Sequence, residues 1–500
     1  MKKITFIILF LAAFTYSQAE TTKQPNDQTT KRPKIIVGLV VDQMRWDYLY
    51  FYENQYCQDG IRRLLNEGFS CENNMINYIP TVTAIGHASI YTGTGPALHG
   101  IAGNNFYEDG KRIYCCEDKS VMPVGSNNKA GYMSPRNMHA STIGDQLRLA
   151  TNFQSRVFGV ALKDRAAILP AGHSANAAYW YDKKAGHFIT SSYYMEQLPE
   201  WVKKFNKENT TDTDVRGTTE GITLTFKMAE ALLREEKLGQ GNVTDMLTVS
   251  ISSTDIIGHT TGTRGDENIA AYLQLDKDIA HFLNTLDKAV GKGNYLLFLS
   301  ADHGAVHNPN YLKKHKIPAA GLPLWEQVAH INKHLAHIFI GADSLVIDAG
   351  SNSLYLNHKL IKEQKLSINE IKNEIKQYLM ADQRICYVVD RANILHEPIP
   401  QFLRERVILG YDQRRSGDLL VITRPNVVPG SNKPDYVGTS HGTWNPYDSH
   451  IPLVFFGWKI KHGETAAPTY IVDIAPTICA LLHIQMPNAA IGNPIPHITE

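Results

Sequence analysis

Ile35-Ile-Val-Gly-Leu-Val-Val41 runs without a charged or hydrogen-bonding side chain straight into Asp42. Similar apolar and β-branched runs cover Val157 to Leu162, Met246 to Ser252 and Tyr295 to Ser300. Runs that do not alternate apolar with polar suit strands buried on both faces, as in a parallel sheet covered by helices. The segment between the last two runs supplies such a cover. From Asp266 to Lys288, Ile269, Tyr272, Leu273, Ile279, Phe282, Leu283 and Leu286 recur at helical spacing. Strand, long helix and strand make a βαβ unit. A further helix opens at Ser367-Ile-Asn-Glu370, a capping box, and continues through Ile371, Ile375 and Leu379. The pattern predicts an α/β fold: a mostly parallel central sheet with helices on both faces. From about residue 305 to 434 the texture changes, with more Lys, His, Pro and Asn and shorter apolar runs. This part reads as an inserted cap region over the sheet's carboxyl edge, within a domain spanning 35–500.

The amino terminus reads differently. Met1-Lys2-Lys3, an apolar stretch from Ile4 to Tyr16 and Ser17-Gln18-Ala19 have the layout of a secretory signal peptide, here residues 1–19. The apolar stretch is shorter than the roughly 20 residues that span a bilayer. Residues 20–34 are polar and aperiodic and read as a flexible leader. No later segment is apolar enough to cross a membrane, so a periplasmic or secreted protein is expected. A formal charge of +1 with no basic stripe argues against nucleic acid as a specific partner. Six cysteines in an exported chain permit disulfides, but none has zinc-thiolate spacing. Oligomeric state is not readable.

Ligands of open α/β sheets gather at the carboxyl ends of strands, and there the chemistry-bearing residues lie. Asp42 follows the first run. Asp255-Ile-Ile-Gly-His259 follows the third, and Asp302-His303 the fourth. A late cluster, Gly438-Thr-Ser-His441-Gly442, precedes the apolar run Ile451 to Phe456. Singly, such an Asp caps a helix and such a His is polar surface. Together they supply three carboxylates and three imidazoles, the donor types that hold zinc. Thr83, in Pro80-Thr-Val-Thr-Ala-Ile-Gly-His87, stands where a helix can start and where anions meet free N–H groups. Thr81 reads as a cap, and His87, His99 and Gly93-Thr-Gly95 as structural.

The order Asp42, Thr83, Asp255-x3-His259, Asp302-His303, His441 resembles the alkaline phosphatase superfamily. Pro80 to His87, Tyr91-Thr-Gly93 and His99-Gly-Ile101 resemble its nucleotide pyrophosphatase/phosphodiesterase branch, except that Ala84-Ile85-Gly86 stands where that branch commonly has Phe-Pro-Asn. The bacterial phosphate-irrepressible alkaline phosphatases are the nearest match, through Thr83, Asn104 and Lys163-Asp-Arg165, over roughly Ile35 to His441. The resemblance implies two Zn2+, one held by Asp42, Asp302, His303 and Thr83, the other by Asp255, His259 and His441. It implies Thr83 as nucleophile and a phosphothreonine intermediate, with Asn104, Lys163 and Arg165 on the phosphoryl oxygens and Asp164 structural. Two positive charges at Lys163 and Arg165 match the dianion of a phosphate monoester better than a diester. Small-molecule phosphate monoesters are therefore the expected substrates. The alternatives are a diester hydrolase of the nucleotide pyrophosphatase type and, in another class, a catalytically inactive binding scaffold.

Overall fold

A computed structural model describes residues 31–211, 213–431 and 433–499. The expected signal peptide and all of the leader before residue 31 lie outside the described residues. Lys34, the last residue of the expected leader, is already tied into the fold: its N–H donates to Asn294 O, and its carbonyl accepts from Asp245 N–H.

Five parallel strands form the middle of a ten-stranded sheet. They are β1 (Ile35–Val41), β2 (Val157–Ala161), β3 (Ala177–Asp182), β4 (Asp245–Ile251) and β5 (Tyr295–Ser300). Across the sheet they run β5-β1-β4-β2-β3. Val41 stands opposite Ile251, Val40 opposite Ser300, and Ala161 opposite both Ser250 and Trp180. All five therefore end at one edge. Every residue of β1 is buried, so both faces of the sheet are covered. A sixth strand, β6 (Leu453–Gly457), pairs antiparallel with β5, and short strands extend the sheet at both margins, antiparallel except for Gly463–Thr465, which pairs parallel with Phe69–Cys71.

The helices that bear on the site follow the strands. They are α1 (Thr83–Thr92), α2 (Asp164–Ala171), α3 (Thr219–Glu235), α4 (Ser253–Thr261) and α5 (Asp266–Val290). Helix α1 packs against α2, and α5 against α3. Glycine sets one close approach. A Cβ on Gly38 of β1 would lie 2.2 Å from Tyr91 Oη and 2.8 Å from Phe298 Cζ, so the missing side chain lets α1 rest on the sheet.

Between β5 and β6 the chain builds a second unit. Val346–Gly350, Ser353–Leu356, Leu419–Thr423 and Ile385–Asp390 form an antiparallel sheet, flanked by α6 (Leu324–Ala336) and α7 (Ile368–Met380). It has its own apolar core, in which Leu335, Leu354, Ile371, Ile375 and Val421 meet. At the start of α7 only the forward half of the expected capping box forms, with Ser367 Oγ accepting from Glu370 N–H. Buried Arg415 ties this unit to the main body through Glu108 and the carbonyls of Gly100 and Asn137. The six cysteines are all thiols, four of them buried. No helix of the described residues is long and apolar enough to cross a membrane.

Gly38→Val should lower stability by about 1–3 kcal/mol, the usual cost of overpacking a core. It should read as a lower urea midpoint at unchanged slope. An unshifted midpoint would mean that α1 does not bear on β1 this closely.

Candidate metal centre and active site

The common edge of β1, β4 and β5 brings three carboxylates together. Asp42 is the first residue after β1, Asp302 the second after β5, and Asp255 lies in the first turn of α4, directly beyond β4. All three are buried. His259 follows Asp255 by one helical turn, and its Nε2 is 3.1 Å from Asp255 Oδ1. His303 Nε2 lies 3.3 Å from Asp302 Oδ2 and 3.6 Å from Asp42 Oδ1. His441 enters from the loop before β6, its ring stacked on His303 at 3.5 Å and its Nε2 3.6 Å from Asp255 Oδ1. Six residues singled out from four distant stretches of sequence thus converge on one place.

The imidazoles share a feature. His259 Nδ1 donates to Thr439 O, His303 Nδ1 to Gly304 O, and His441 Nδ1 to Thr81 O, at 2.8–3.0 Å. A carbonyl can only accept, so each Nδ1 carries a proton and each Nε2 is aimed at the carboxylates; at His259 burial opposes the charged ring, but the nearby Asp255 outweighs it and favours that form. This is how metal-binding histidines are fixed in tautomer and orientation.

Charge tells the same story. Burial, with Asp255 and Asp302 close by, raises the Asp42 carboxyl well above the usual range. Burial also acts to raise Asp255, but His259, Lys163 and His441 hold it well below that range. His441 is pushed far down by burial and then by His303 and His259, and burial lowers His303 as well, so both favour the neutral, ligating form. Asp42 Oδ1 and Asp302 Oδ2 are buried without a hydrogen-bond partner. The donor atoms of Asp42, Asp302 and His303 lie within 4.8 Å of one another, as do those of Asp255, His303 and His441. Buried carboxylate oxygens without partners, beside imidazoles oriented from behind, fit divalent cations.

Thr83 opens α1 at this cluster, buried, with Oγ1 3.4 Å from His303 Nε2. The helix comes this close because of Gly86. A Cβ there would lie 2.2 Å from Asp302 O, so a larger residue would push α1 away from the Asp302 backbone. Asn104 Oδ1 accepts from Ala84 N–H, leaving its Nδ2 as a donor. Lys163, at the end of β2, sets Nζ 2.5 Å from Asp42 Oδ2 and 2.6 Å from Asp255 Oδ2. Arg165 meets the Tyr114 hydroxyl at 3.1 Å, and its buried Nε has no partner. Asp164 accepts from the Arg165 N–H and from the Tyr114 hydroxyl, so it steadies Arg165.

Two residues add to the set read from sequence. Gln43 takes a left-handed φ of +66° directly after Asp42. Its N–H donates to Asp302 Oδ1 at 3.1 Å and its Nε2 to Asp255 Oδ1 at 2.6 Å, so one residue braces two carboxylates. A polar residue beside a strand-end Asp was the only signal for it. His87, read as structural, joins Thr83 O to Ser250 Oγ and lies 3.3 Å from Asp302 Oδ2.

The model of the type I phosphodiesterase / nucleotide pyrophosphatase family matches residues 36–444. The chain belongs to that family, and within it stands among the alkaline phosphatases. Alkaline phosphatase PafA of Elizabethkingia meningoseptica is 42% identical over 93% of this chain and 94% of its own length. Alkaline phosphatase PhoV of Synechococcus elongatus is 42% identical over 98% of each. A Myroides odoratus protein named calcium-transporting ATPase is 44% identical over 94% of this chain and 95% of its own. The crystal structure of wild-type alkaline phosphatase PafA superposes with a TM-score of 0.90 at 42% identity, covering 94% of this chain and all of that one. The protein is an enzyme, a phosphatase.

Gly258 gives a test of the Gln43 brace. A Cβ there would lie 2.0 Å from Gln43 Oε1, the end of a flexible side chain. Gly258→Ala should keep the fold, since alanine favours a helix by about 1 kcal/mol, yet displace the amide from Asp255 and lower activity at least about tenfold. Thermal melting beside a phosphatase assay reads both, and full activity would show that the brace is dispensable.

Proposed function

We propose that this chain is an exported phosphatase that hydrolyses phosphate monoesters through a phosphothreonine on Thr83, with two Zn2+ at the cluster. The observation that carries the reading is the set of three imidazoles whose Nδ1 protons are held by backbone carbonyls, so that three Nε2 atoms are aimed at three carboxylates beside the Thr83 hydroxyl. Asp42, Asp302 and His303, with Thr83, would hold one ion, and Asp255, His259 and His441 the other. Bound there, the ions supply positive charge that lowers the pKa of a hydroxyl or water and offsets charge building on the transferred group. The amino-terminal signal-like segment, residues 1–19, supports export.

Thr83 Oγ attacks phosphorus in line with the ester oxygen, which departs as the free alcohol and leaves phosphothreonine. Water then enters from the side the alcohol left, restoring the Thr83 hydroxyl and releasing inorganic phosphate. Asn104 Nδ2, its oxygen already taken by Ala84 N–H, donates to one nonbridging oxygen. Lys163 and Arg165 meet the others. In the structure the Lys163 ammonium is shared between Asp42 and Asp255; cations on those carboxylates would free it for the phosphoryl group. A monoester presents a dianion with three nonbridging oxygens, and a diester only one negative charge. Two adjacent cations therefore favour the monoester.

The purified protein should release 4-nitrophenol faster from 4-nitrophenyl phosphate than from its bis ester. Chelation should abolish this and zinc restore it, and Thr83→Ala should lose roughly a thousandfold or more while keeping bound metal. Faster diester cleavage would reverse the substrate reading, and two bound zincs without turnover would make the chain an inactive scaffold.

Lys163→Ala with Arg165→Ala removes two charge-assisted bonds of about 1.5–3 kcal/mol each. Monoester kcat/KM should fall roughly a hundredfold or more, and diester kcat/KM far less. Equal losses for both esters would sink the charge-matching argument.

A further inference from the structure

Strand β3 ends at the same edge as β2, because Ala161 and Trp180 are parallel neighbours. The turn after β3 therefore stands beside Lys163 and Arg165. It begins Lys183-Lys184, both exposed. An open cavity of about 640 Å3 lies there. Leu162 to Arg165 line it on the side of the reaction centre, and Lys129, Lys183, Lys184 and Arg216 line it beyond.

Six of the lining side chains are cationic and two, Asp164 and Asp182, are anionic. The carboxylates are committed to holding the chain. Asp164 takes the Tyr114 hydroxyl and Arg165 N–H. Asp182 takes Ser126 Oγ, Asn128 Nδ2 and Lys184 N–H. Arg216 pairs with Asp214 at 2.7 Å. Among the described residues, no carboxylate lies within ion-pair distance of Lys129, Lys183 or Lys184. Two buried polar atoms of the lining, Tyr181 Oη and Arg165 Nε, have no partner. A concave, cation-lined space of this kind raises the local concentration of anions. It is also larger than a phosphoryl group needs.

We propose that this cavity is a subsite for a second phosphate on the substrate, so that the enzyme prefers monoesters whose alcohol portion is itself phosphorylated, such as sugar bisphosphates. The proposal rests on the monoester reading above. Lys163 and Arg165 hold the phosphate that reacts. Lys183, Lys184 and Lys129 attract the one that does not, and the tyrosine and tryptophan walls take the carbon skeleton between them. The cations are exposed, so their contribution is modest and screened by salt.

The test compares glucose 1,6-bisphosphate with glucose 6-phosphate, with 4-nitrophenyl phosphate as reference. Wild-type kcat/KM should favour the bisphosphate by about five- to tenfold at low ionic strength. The ratio should approach one at about 0.5 M salt, and also in the Lys129→Ala, Lys183→Ala, Lys184→Ala triple variant, while 4-nitrophenyl phosphate is turned over as before. Lys184→Glu alone should lower the ratio by repulsion, which a mere loss of surface charge elsewhere would not do. A wild-type ratio near one, or a ratio that survives the triple variant, overturns the subsite while leaving the phosphatase reading intact. No turnover of 4-nitrophenyl phosphate by the wild-type protein would instead bring down the reading on which the subsite rests.

Discussion

Three carboxylates share one buried space at the edge of this sheet, and the rest of the structure has to accommodate them. Asp42, Asp255 and Asp302 are each taken out of water, where an isolated negative charge is costly and like charges repel strongly. A single ammonium, that of Lys163, lies between two of them and leaves negative charge uncompensated. The upward displacement of Asp42 and the downward displacement of Asp255 are two sides of that imbalance. A fold does not keep such a cluster for stability, because packed apolar residues would serve it better. The arrangement makes sense as a receptor for cations.

Parallel strands are an economical way to build such a receptor. Each contributes a residue just past its end, and the register of the sheet fixes their spacing without any help from loops. What loops contribute here is orientation. Thr81, Thr439 and Gly304 offer only backbone carbonyls, yet these set the direction of all three imidazoles. Their side-chain identities serve to place those carbonyls: the Thr81 and Thr439 hydroxyls bond Thr443 O and Val306 O, and a Cβ on Gly304 would lie 2.3 Å from Tyr447 O. Gly86 and Gly258, like Gly304, act by the absence of a side chain, at points where helices meet Asp302 and Gln43.

The division between what the sequence reveals and what it hides follows from this. The strands β1, β2, β4 and β5 are legible within a residue or so, because burial on both faces leaves continuous apolar runs. Helix α5 is legible because its apolar stripe is long. Asp42, Asp255, His259, Asp302, His303 and His441 stand out as ligand types at strand ends, and the structure gathers them. Thr83 is legible in its family context rather than from its chemistry, since a helix-opening threonine is an ordinary cap. Gln43 is hidden, because its role comes from a left-handed backbone and contacts across more than two hundred residues. The short marginal strands are hidden too: two or three residues carry no periodicity. Glu370 was expected to return a bond to Ser367 and does not, since an exposed glutamate gains little by being held.

The unit between β5 and β6 leaves the main body from one strand and comes back on its neighbour, with His303 and His441 stacked just inside the two ends. It is a ring closed by a clasp. The entropic cost of closing a ring grows only logarithmically with circumference, by about 0.6 kcal/mol for each doubling. The excursion is thus free to lengthen, shorten or be exchanged at almost no thermodynamic penalty, so long as the clasp stays shut.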